Sequence, residues 1–145
     1  ICGLWGLIHV AGGGLLLADA LSDHPENALR SLGSALSETD FPTADSPVVR
    51  AVVSFHSFNL LWMGLAAMII ALTLNWKNSK TGFFLNVALI GLADAGLIAF
   101  MLAPGIIKLQ EGIIGPVLWP FSVLFLYLGL QKKQNTATIS PALNS

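Results

Sequence analysis

Hydrophobic residues fill four long runs of this chain, and polar residues gather in the segments between them. The runs cover residues 1–20, 48–74, 83–103 and 113–130. Each is close to the roughly 20 residues that cross about 30 Å of hydrocarbon as a helix. A backbone in lipid must satisfy its hydrogen bonds within the segment, which favours helices. The pattern predicts an all-α fold, an integral membrane four-helix antiparallel bundle formed by residues 1–130, with short links that make sequential helices neighbours.

Helix signals and breakers mark the ends of these runs. Ser46 and Pro47 suit the N-cap and the first turn of the second helix. Pro116 and Pro120 predict a kink or a loosened first turn in the fourth helix. The polar tail, residues 131–145, has no periodicity and is predicted to be disordered.

The longest polar segment, residues 21–47, lies between the first two runs. Within it, residues 25–36 carry Leu29, Leu32 and Leu36 at the spacing of one helical stripe, which predicts a short amphipathic helix. Such a helix would either lie on the membrane surface or cap the bundle's own end. The sequence leaves both arrangements open.

The composition supports a membrane protein and excludes other classes. Hydrophobic residues make up 54% of the chain and charged residues 10%, with a mean hydropathy of +0.74, whereas a soluble domain has about 25% charged residues. A net charge of −1 gives no bias toward nucleic acid. A single cysteine, Cys2, excludes an internal disulfide and a cysteine-based zinc site. Because the sequence begins with Ile1 and not Met, we expect further residues upstream.

Lysine and arginine are distributed unevenly between the two ends of the predicted bundle. One end carries four lysines and no acidic residue: Lys77, Lys80, Lys132 and Lys133. The other end carries three basic residues among seven acids: Arg30, Arg50 and Lys108. Because basic residues near helix ends stay in the cytoplasm, we expect cytoplasmic termini and an extracytoplasmic 21–47 segment.

Three ionisable residues fall in the middle of apolar runs, where an unpaired charge is costly and usually functional. Counting from the helix ends at about 1.5 Å per residue places His9 roughly 16 Å deep, and His56 and Asp94 about 14 Å deep. Asn59 follows His56 by three residues on the same helical face. The pattern predicts one inward-facing polar cluster of His9, His56, Asn59 and Asp94.

This cluster has three interpretations. Asp94 and a histidine would form a structural hydrogen bond between helices, although such bonds contribute only about 0.6 kcal/mol on average. The same pair would serve as acid and base in a small enzyme or carrier for a lipophilic substrate such as a quinone, sterol or lipid. Alternatively, His9 and His56 would be the axial ligands of a b-type haem. We expect no haem and no tightly bound metal, because Asp94 is the predicted partner of at least one ring.

Other residues in the runs have structural explanations. The glycines of the first and third runs are small residues that let helices approach closely. The tryptophans are interpreted as interfacial anchors in part, with Trp76 beside Lys77 in an aromatic belt and Trp62 buried near the cluster.

The chain lacks the common enzyme motifs, such as HExxH, GxSxG and the P-loop. Its overall plan, with His9 in 7–10 and the stretch 55–59 around His56 and Asn59, resembles the small bacterial four-helix membrane proteins grouped as DoxX-like. That resemblance implies a bacterial inner-membrane protein associated with a larger redox or transport complex. We therefore expect a non-enzymatic accessory subunit, in contact with lipid and with other membrane protein subunits.

Overall fold

The computed structural model describes residues 1–44 and 46–139, with the backbone alone for Lys133 and for residues 135–139. All regular elements in this part of the chain are helices, joined by turns and loops, without strands. Its helices are α1 (Cys2–Leu21), α2 (Glu26–Leu32), α3 (Pro47–Thr73), α4 (Lys80–Leu97), α5 (Leu109–Gly112) and α6 (Ile114–Ile139). Four stretches are long and apolar enough to cross a membrane: Cys2–Leu21, Pro47–Lys77, Lys80–Leu102 and Leu109–Lys132. The predicted fold class, a membrane four-helix bundle, is confirmed.

Helices α1 and α3 form the most closely packed pair of the bundle. Three contacts set its register: Gly6 with Gly64, Gly13 with Ser57, and Ala20 with Arg50. Each step of seven residues along α1 is matched by seven in the opposite direction along α3, so the pair is antiparallel and follows a heptad repeat. A Cβ at Gly64 would lie 2.6 Å from the Gly6 carbonyl oxygen. Glycine is therefore what allows these two backbones to approach so closely.

Helix α4 packs antiparallel against both α3 and α6. The link from α3 turns through Asn78, whose φ of 48° is left-handed, a conformation that Asn tolerates better than most residues. At the other side of α4, the Trp119 indole of α6 lies on Gly91, where a Cβ would come within 2.9 Å of its nitrogen. That nitrogen donates to the Val87 carbonyl oxygen at 3.2 Å. Trp119 is thus a packing residue between two helices and not an interfacial anchor.

Proline shapes the ends of the last two spans. Helix α4 continues into a π-helical turn, Ile98–Leu102, in which the Ala103 N–H bonds the Ile98 carbonyl oxygen at 2.8 Å. This wider turn ends at Pro104, which has no N–H to continue the helix. Pro116 likewise cannot bond the carbonyl of Gly112, and the fourth span is interrupted between α5 and α6. The loosened first turn that the prolines predict is therefore observed as this break between α5 and α6.

Helix α6 extends well beyond its predicted end at residue 130. It runs to Ile139, so residues 131–139 are helical and differ from the disordered tail predicted for 131–145. Gln131 and Lys132 are good helix formers, and the Gln131 side-chain nitrogen donates to the Tyr127 hydroxyl at 2.7 Å, one turn away. The polar composition of residues 131–139 was therefore not a sign of disorder, and the prediction was wrong for these residues. Residues 140–145 lie outside the described part of the chain.

The cap, residues 22–44, covers the end of the bundle where α1 stops and α3 starts. Its helix α2 buries Ala28 against Ala20 and Val53, with Leu29 and Leu32 packed around them. The amphipathic segment therefore caps the bundle instead of lying free on a membrane surface.

The cap also contacts the rest of the bundle. Helix α2 ends at Leu32, earlier than the predicted residue 36, because the Phe41 ring lies on Gly33 at a position where a Cβ would be 2.7 Å away. The Ala35 N–H then bonds the Ile106 carbonyl oxygen at 3.1 Å, and the Lys108 N–H bonds Ser34 Oγ at 3.2 Å. The cap thus joins the α1–α3 pair to the link that follows α4.

Candidate functional site

Asp94 is the one acidic side chain buried within the described bundle, and it lies on the inward face of α4. That face carries a buried residue every four positions: Gly82, Asn86, Ile90 and Asp94. Asp94 is 3% exposed. Its Oδ1 accepts a hydrogen bond from Trp5 Nε1 of α1 at 3.2 Å, whereas its Oδ2 is buried without a hydrogen-bond partner among the described residues. The buried acid therefore has one oxygen in use and one free.

The Asp94 carboxyl also lies against the first turn of α6. A Cβ placed on Gly115 would come within 2.8 Å of Asp94 Oδ1 and 3.4 Å of Trp5 Nε1. Only glycine leaves room for the carboxyl and the indole at this point. The beginning of a long helix is also the end at which its dipole favours an oxygen lone pair. Residues of α1, α4 and α6 therefore meet at Asp94.

His9 is joined to this site through Trp5. The two rings stack with centroids 3.6 Å apart and 19° between their planes, and they lie one helical turn apart on α1. His9 Nδ1 is 2.9 Å from the Trp5 carbonyl oxygen. A carbonyl oxygen only accepts, so in the neutral ring this hydrogen bond places the proton on Nδ1 and leaves a lone pair on Nε2. We call Trp5, His9 and Asp94 the tryptophan site.

His56 is not part of the tryptophan site. Its neighbour Ser57 is fully buried against α1. Consecutive residues of a helix point about 100° apart, so the His56 side chain is turned away from that contact. The His56 side chain is accordingly exposed on the outside of the bundle, and it forms no hydrogen bond with the residues that the structure describes. Asn59, half-buried on the same side of α3, accepts a hydrogen bond from Trp62 Nε1 at 2.8 Å.

The four predicted residues therefore divide between two places, with His9 and Asp94 inside and His56 and Asn59 outside. Their equal predicted depths are also not observed. His9 lies against Gly64, while Gly13, four residues and about 6 Å further along α1, lies level with Ser57 beside His56. Counting from helix ends failed because the four spans differ in length and are offset from one another. His9 and His56 consequently do not face each other, and their placement does not fit the two axial ligands of one haem.

Sequence reasoning missed two polar contacts and misplaced one tryptophan. Trp5 is completely buried and bonded to Asp94, and the expected buried residue Trp62 is 43% exposed. Asn86, 1% exposed, donates from Nδ2 to the Ala67 carbonyl oxygen at 3.4 Å, and its Oδ1 has no partner among the described residues. The available signal was the spacing: Asn86 precedes Asp94 by eight residues on the same face of α4, and Trp5 precedes His9 by four.

Comparison with protein-family models, with curated proteins and with solved structures gives no match for this chain. The resemblance to DoxX-like proteins therefore stays a prediction. The functional argument rests on the placement of the chain's own polar side chains in its apolar helices.

Proposed function

We propose that this small multi-pass membrane protein is an accessory subunit, which assembles with another membrane protein through the outward side of α3. We call this side the α3 outer face; it consists of Val52, Phe55, His56, Asn59 and Trp62. The observation that carries the proposal is the exposed His56 side chain in the middle of an apolar helix.

A histidine at this position is difficult to reconcile with a lipid neighbour. His56 is nine residues from the start of α3 at Pro47, or about 14 Å from the nearer helix end. A histidine side chain is too short to reach the interface from that depth, as a lysine or arginine does. Polar groups at such depth are usually paired with another protein group. A second helix covering His56 would supply that pair.

The chemistry of the α3 outer face indicates what the partner offers. Neutral histidine presents one donor and one acceptor. Trp62 occupies the Asn59 oxygen, which leaves the Asn59 amide nitrogen as a donor. Val52 and Phe55, 61% and 68% exposed, extend the face with apolar surface. These groups fit a transmembrane helix that carries a carboxylate, amide or hydroxyl opposite His56 and Asn59 within an apolar surface.

The remaining features of the proposed setting follow the sequence expectations. Lysines at one end of the bundle favour cytoplasmic termini and an extracytoplasmic cap. The helices have a large apolar surface left for contact with lipid or a partner. In the fourth span, Leu109–Lys132, only 6% of the most apolar stretch is buried inside the bundle. A bacterial inner membrane and a larger redox or transport complex are what the DoxX-like resemblance adds to this proposal.

Purification from native membranes under mild detergent tests the accessory role. We expect the protein to migrate in fixed stoichiometry with one larger membrane complex. His56→Leu and Asn59→Leu should release it from that complex. Leu65→Ala is the matched control, because Leu65 is 43% exposed on α3 but lies about 120° around the helix from Asn59. Self-association alone, or a complex that survives both His56→Leu and Asn59→Leu, would contradict the proposal.

A second candidate function is supported by the tryptophan site. In it, Asp94 and His9 act as acid and base in a small enzyme or carrier for a quinone, sterol or other lipid, with His9 Nε2 as the free basic nitrogen. A monodisperse free protein that retains a bound lipid or quinone would favour this function, provided that Asp94→Asn abolishes turnover or transport without releasing the protein from the membrane.

A further inference from the structure

The bundle consists of two helix pairs that are joined by few polar contacts. One pair is α1 with α3, packed through small residues, and the other is α4 with α6, packed through Trp119 and Gly91. Among the described residues, two hydrogen bonds from buried side chains cross between the pairs: Trp5 Nε1 to Asp94 Oδ1 at 3.2 Å, and Asn86 Nδ2 to the Ala67 carbonyl oxygen at 3.4 Å. Asp94 therefore makes one of the main polar contacts between the pairs, and its protonation state affects how firmly the pairs are joined.

No cation faces Asp94 among the described residues. Three ion pairs lie away from it, in the cap or at the start of α5: His24–Glu26, Arg30–Glu38 and Lys108–Glu111. From α1, the titratable groups nearest to Asp94 are His9, on the other side of Trp5, and Cys2; α6 has none before Tyr127. On α3, His56 points outward and Arg50 bonds the end of α1, and on α4 only Lys80, at the start of the helix, is titratable besides Asp94.

A carboxylate in this setting faces the Trp5 indole and the beginning of α6, which stabilise its charge only in part, and no counter-ion among the described residues. One indole N–H bonds Oδ1, and a single hydrogen bond returns far less than the cost of burying an ionised carboxylate without a counter-ion. Such a group takes up a proton instead. The unpartnered Oδ2 is where that proton would reside, because Oδ1 already accepts from Trp5.

We propose that Asp94 is a proton-binding site, in which Oδ2 holds a proton taken from solvent while Oδ1 keeps its hydrogen bond to Trp5. Loss of the proton leaves a charge at the point where α1, α4 and α6 meet. That charge must draw in water or a cation, and Gly115 leaves no spare room for either beside Oδ1. Deprotonation therefore loosens the contact between Trp5 and the first turn of α6. Protonation of Asp94 controls how tightly the two helix pairs are joined, independently of any partner at the α3 outer face.

Infrared difference spectroscopy of the full chain in lipid nanodiscs tests the proton site. We expect a carboxylic acid C=O band at pH values above about 5.5, where exposed carboxyls are ionised. Asp94→Asn should abolish the band and Asp23→Asn, a matched change in the cap, should leave it. Asp94→Glu, which keeps an acid there, should shift the band; this second variant keeps the test decisive if Asp94→Asn does not fold. If no carboxylic acid band changes when residue 94 is substituted, the proton site is refuted.

Tryptophan fluorescence over the same titration tests the coupling. As the band disappears with rising pH, the emission should move to longer wavelength, because the Trp5 indole becomes hydrated. Trp5→Phe should remove this pH-dependent part of the emission. A Trp5 contribution that stays constant while the infrared band titrates would overturn the proposed loosening of the helix pairs.

Discussion

The three consecutive glycines of α1, residues 12–14, provide a sharp test of the α1–α3 packing. They are chemically identical neighbours, but only Gly13 faces the backbone of α3. A Cβ on Gly13 would lie 2.6 Å from the Leu61 amide nitrogen and 2.9 Å from the Ser57 carbonyl oxygen, whereas a Cβ on Gly12 meets nothing within 4 Å. Gly13→Ala and Gly12→Ala therefore differ in one physical respect, the contact between two helices.

The magnitude follows from these distances. Ordinary contact of a Cβ begins at 3.4 Å, so Gly13→Ala must move α1 and α3 apart by about 0.8 Å against rigid backbone. Overpacking of this kind costs about 1–3 kcal/mol. Gly12→Ala meets no such contact, and its gain in helix propensity of about 0.5–1 kcal/mol is shared by Gly13→Ala and cancels in the comparison. The two variants should thus differ by roughly 5- to 150-fold in the unfolding equilibrium constant.

Reversible unfolding in mixed detergent micelles, with increasing SDS and near-UV circular dichroism as the readout, measures this difference. Gly14→Ala should resemble Gly12→Ala, because its Cβ would meet only the flexible end of the Leu61 side chain at 3.7 Å. Equal destabilisation by Gly12→Ala and Gly13→Ala would refute the α1–α3 register. A larger effect at residue 12 would place in the interface a face of α1 that is about 100° from the one carrying Gly13.

Three further predictions concern topology, cofactor content and the cap. In a Cys2→Ser background, cysteines at Ser79 and Thr43 should be labelled from opposite sides of the membrane; labelling of both from one side would mean that the number of spans is wrong. The absorption spectrum of the purified protein should show no Soret band, and a Soret band lost on removing either intramembrane histidine would move the function to electron transfer. Hydrogen bonds from the Ser37 side chain and backbone lower the pKa of Asp40 below its usual value. These hydrogen bonds therefore stabilise the cap at pH values above the usual pKa of an aspartate, and the stabilisation is lost as the pH falls through the lowered pKa of Asp40. Hydrogen exchange of the cap should show this loss. Asp40→Asn should remove the pH dependence of the exchange.

The number and extent of the spans were predictable because they depend on hydrophobicity summed over about 20 residues. The four predicted runs agree with the observed spans to within a few residues at most ends. The ends that differ depend on local chemistry, as at Pro116, where a missing N–H interrupts the fourth span and separates α5 from α6. Summed hydrophobicity carries no information about such a break.

The direction in which each polar side chain points was harder to predict. Membrane helices are apolar on every side, so hydrophobic periodicity does not separate the inside from the outside of the bundle. Small residues carry part of that information in α3, where the buried Ser57, Gly64 and Ala67 follow one another at spacings of seven and three residues. On an ideal helix His56 lies about 100° from Ser57 but only about 20° from Ala67, so these small residues alone do not place its side chain outside.

The tryptophan site was unpredictable for a different reason. Asp94 meets Trp5 because α4 and α6 are offset along the bundle relative to α1, and no residue count from the helix ends contains that offset. The long Trp5 side chain also spans a distance between helices that a shorter side chain does not. His9 was selected as a polar residue within an apolar run, and in the structure it reaches Asp94 only through the indole between them.

The seven-residue register of α1 and α3 constrains where this chain can change length over evolution. One residue inserted between Gly6 and Gly13 would rotate one half of α1 by about 100° relative to the other. The Gly6–Gly64 and Ala20–Arg50 contacts then could not both be kept. An insertion in the cap lies outside the repeat and leaves every one of these contacts in place. Distant relatives of this chain should therefore differ freely in the length of the cap while keeping the spacing of small residues in both helices unchanged.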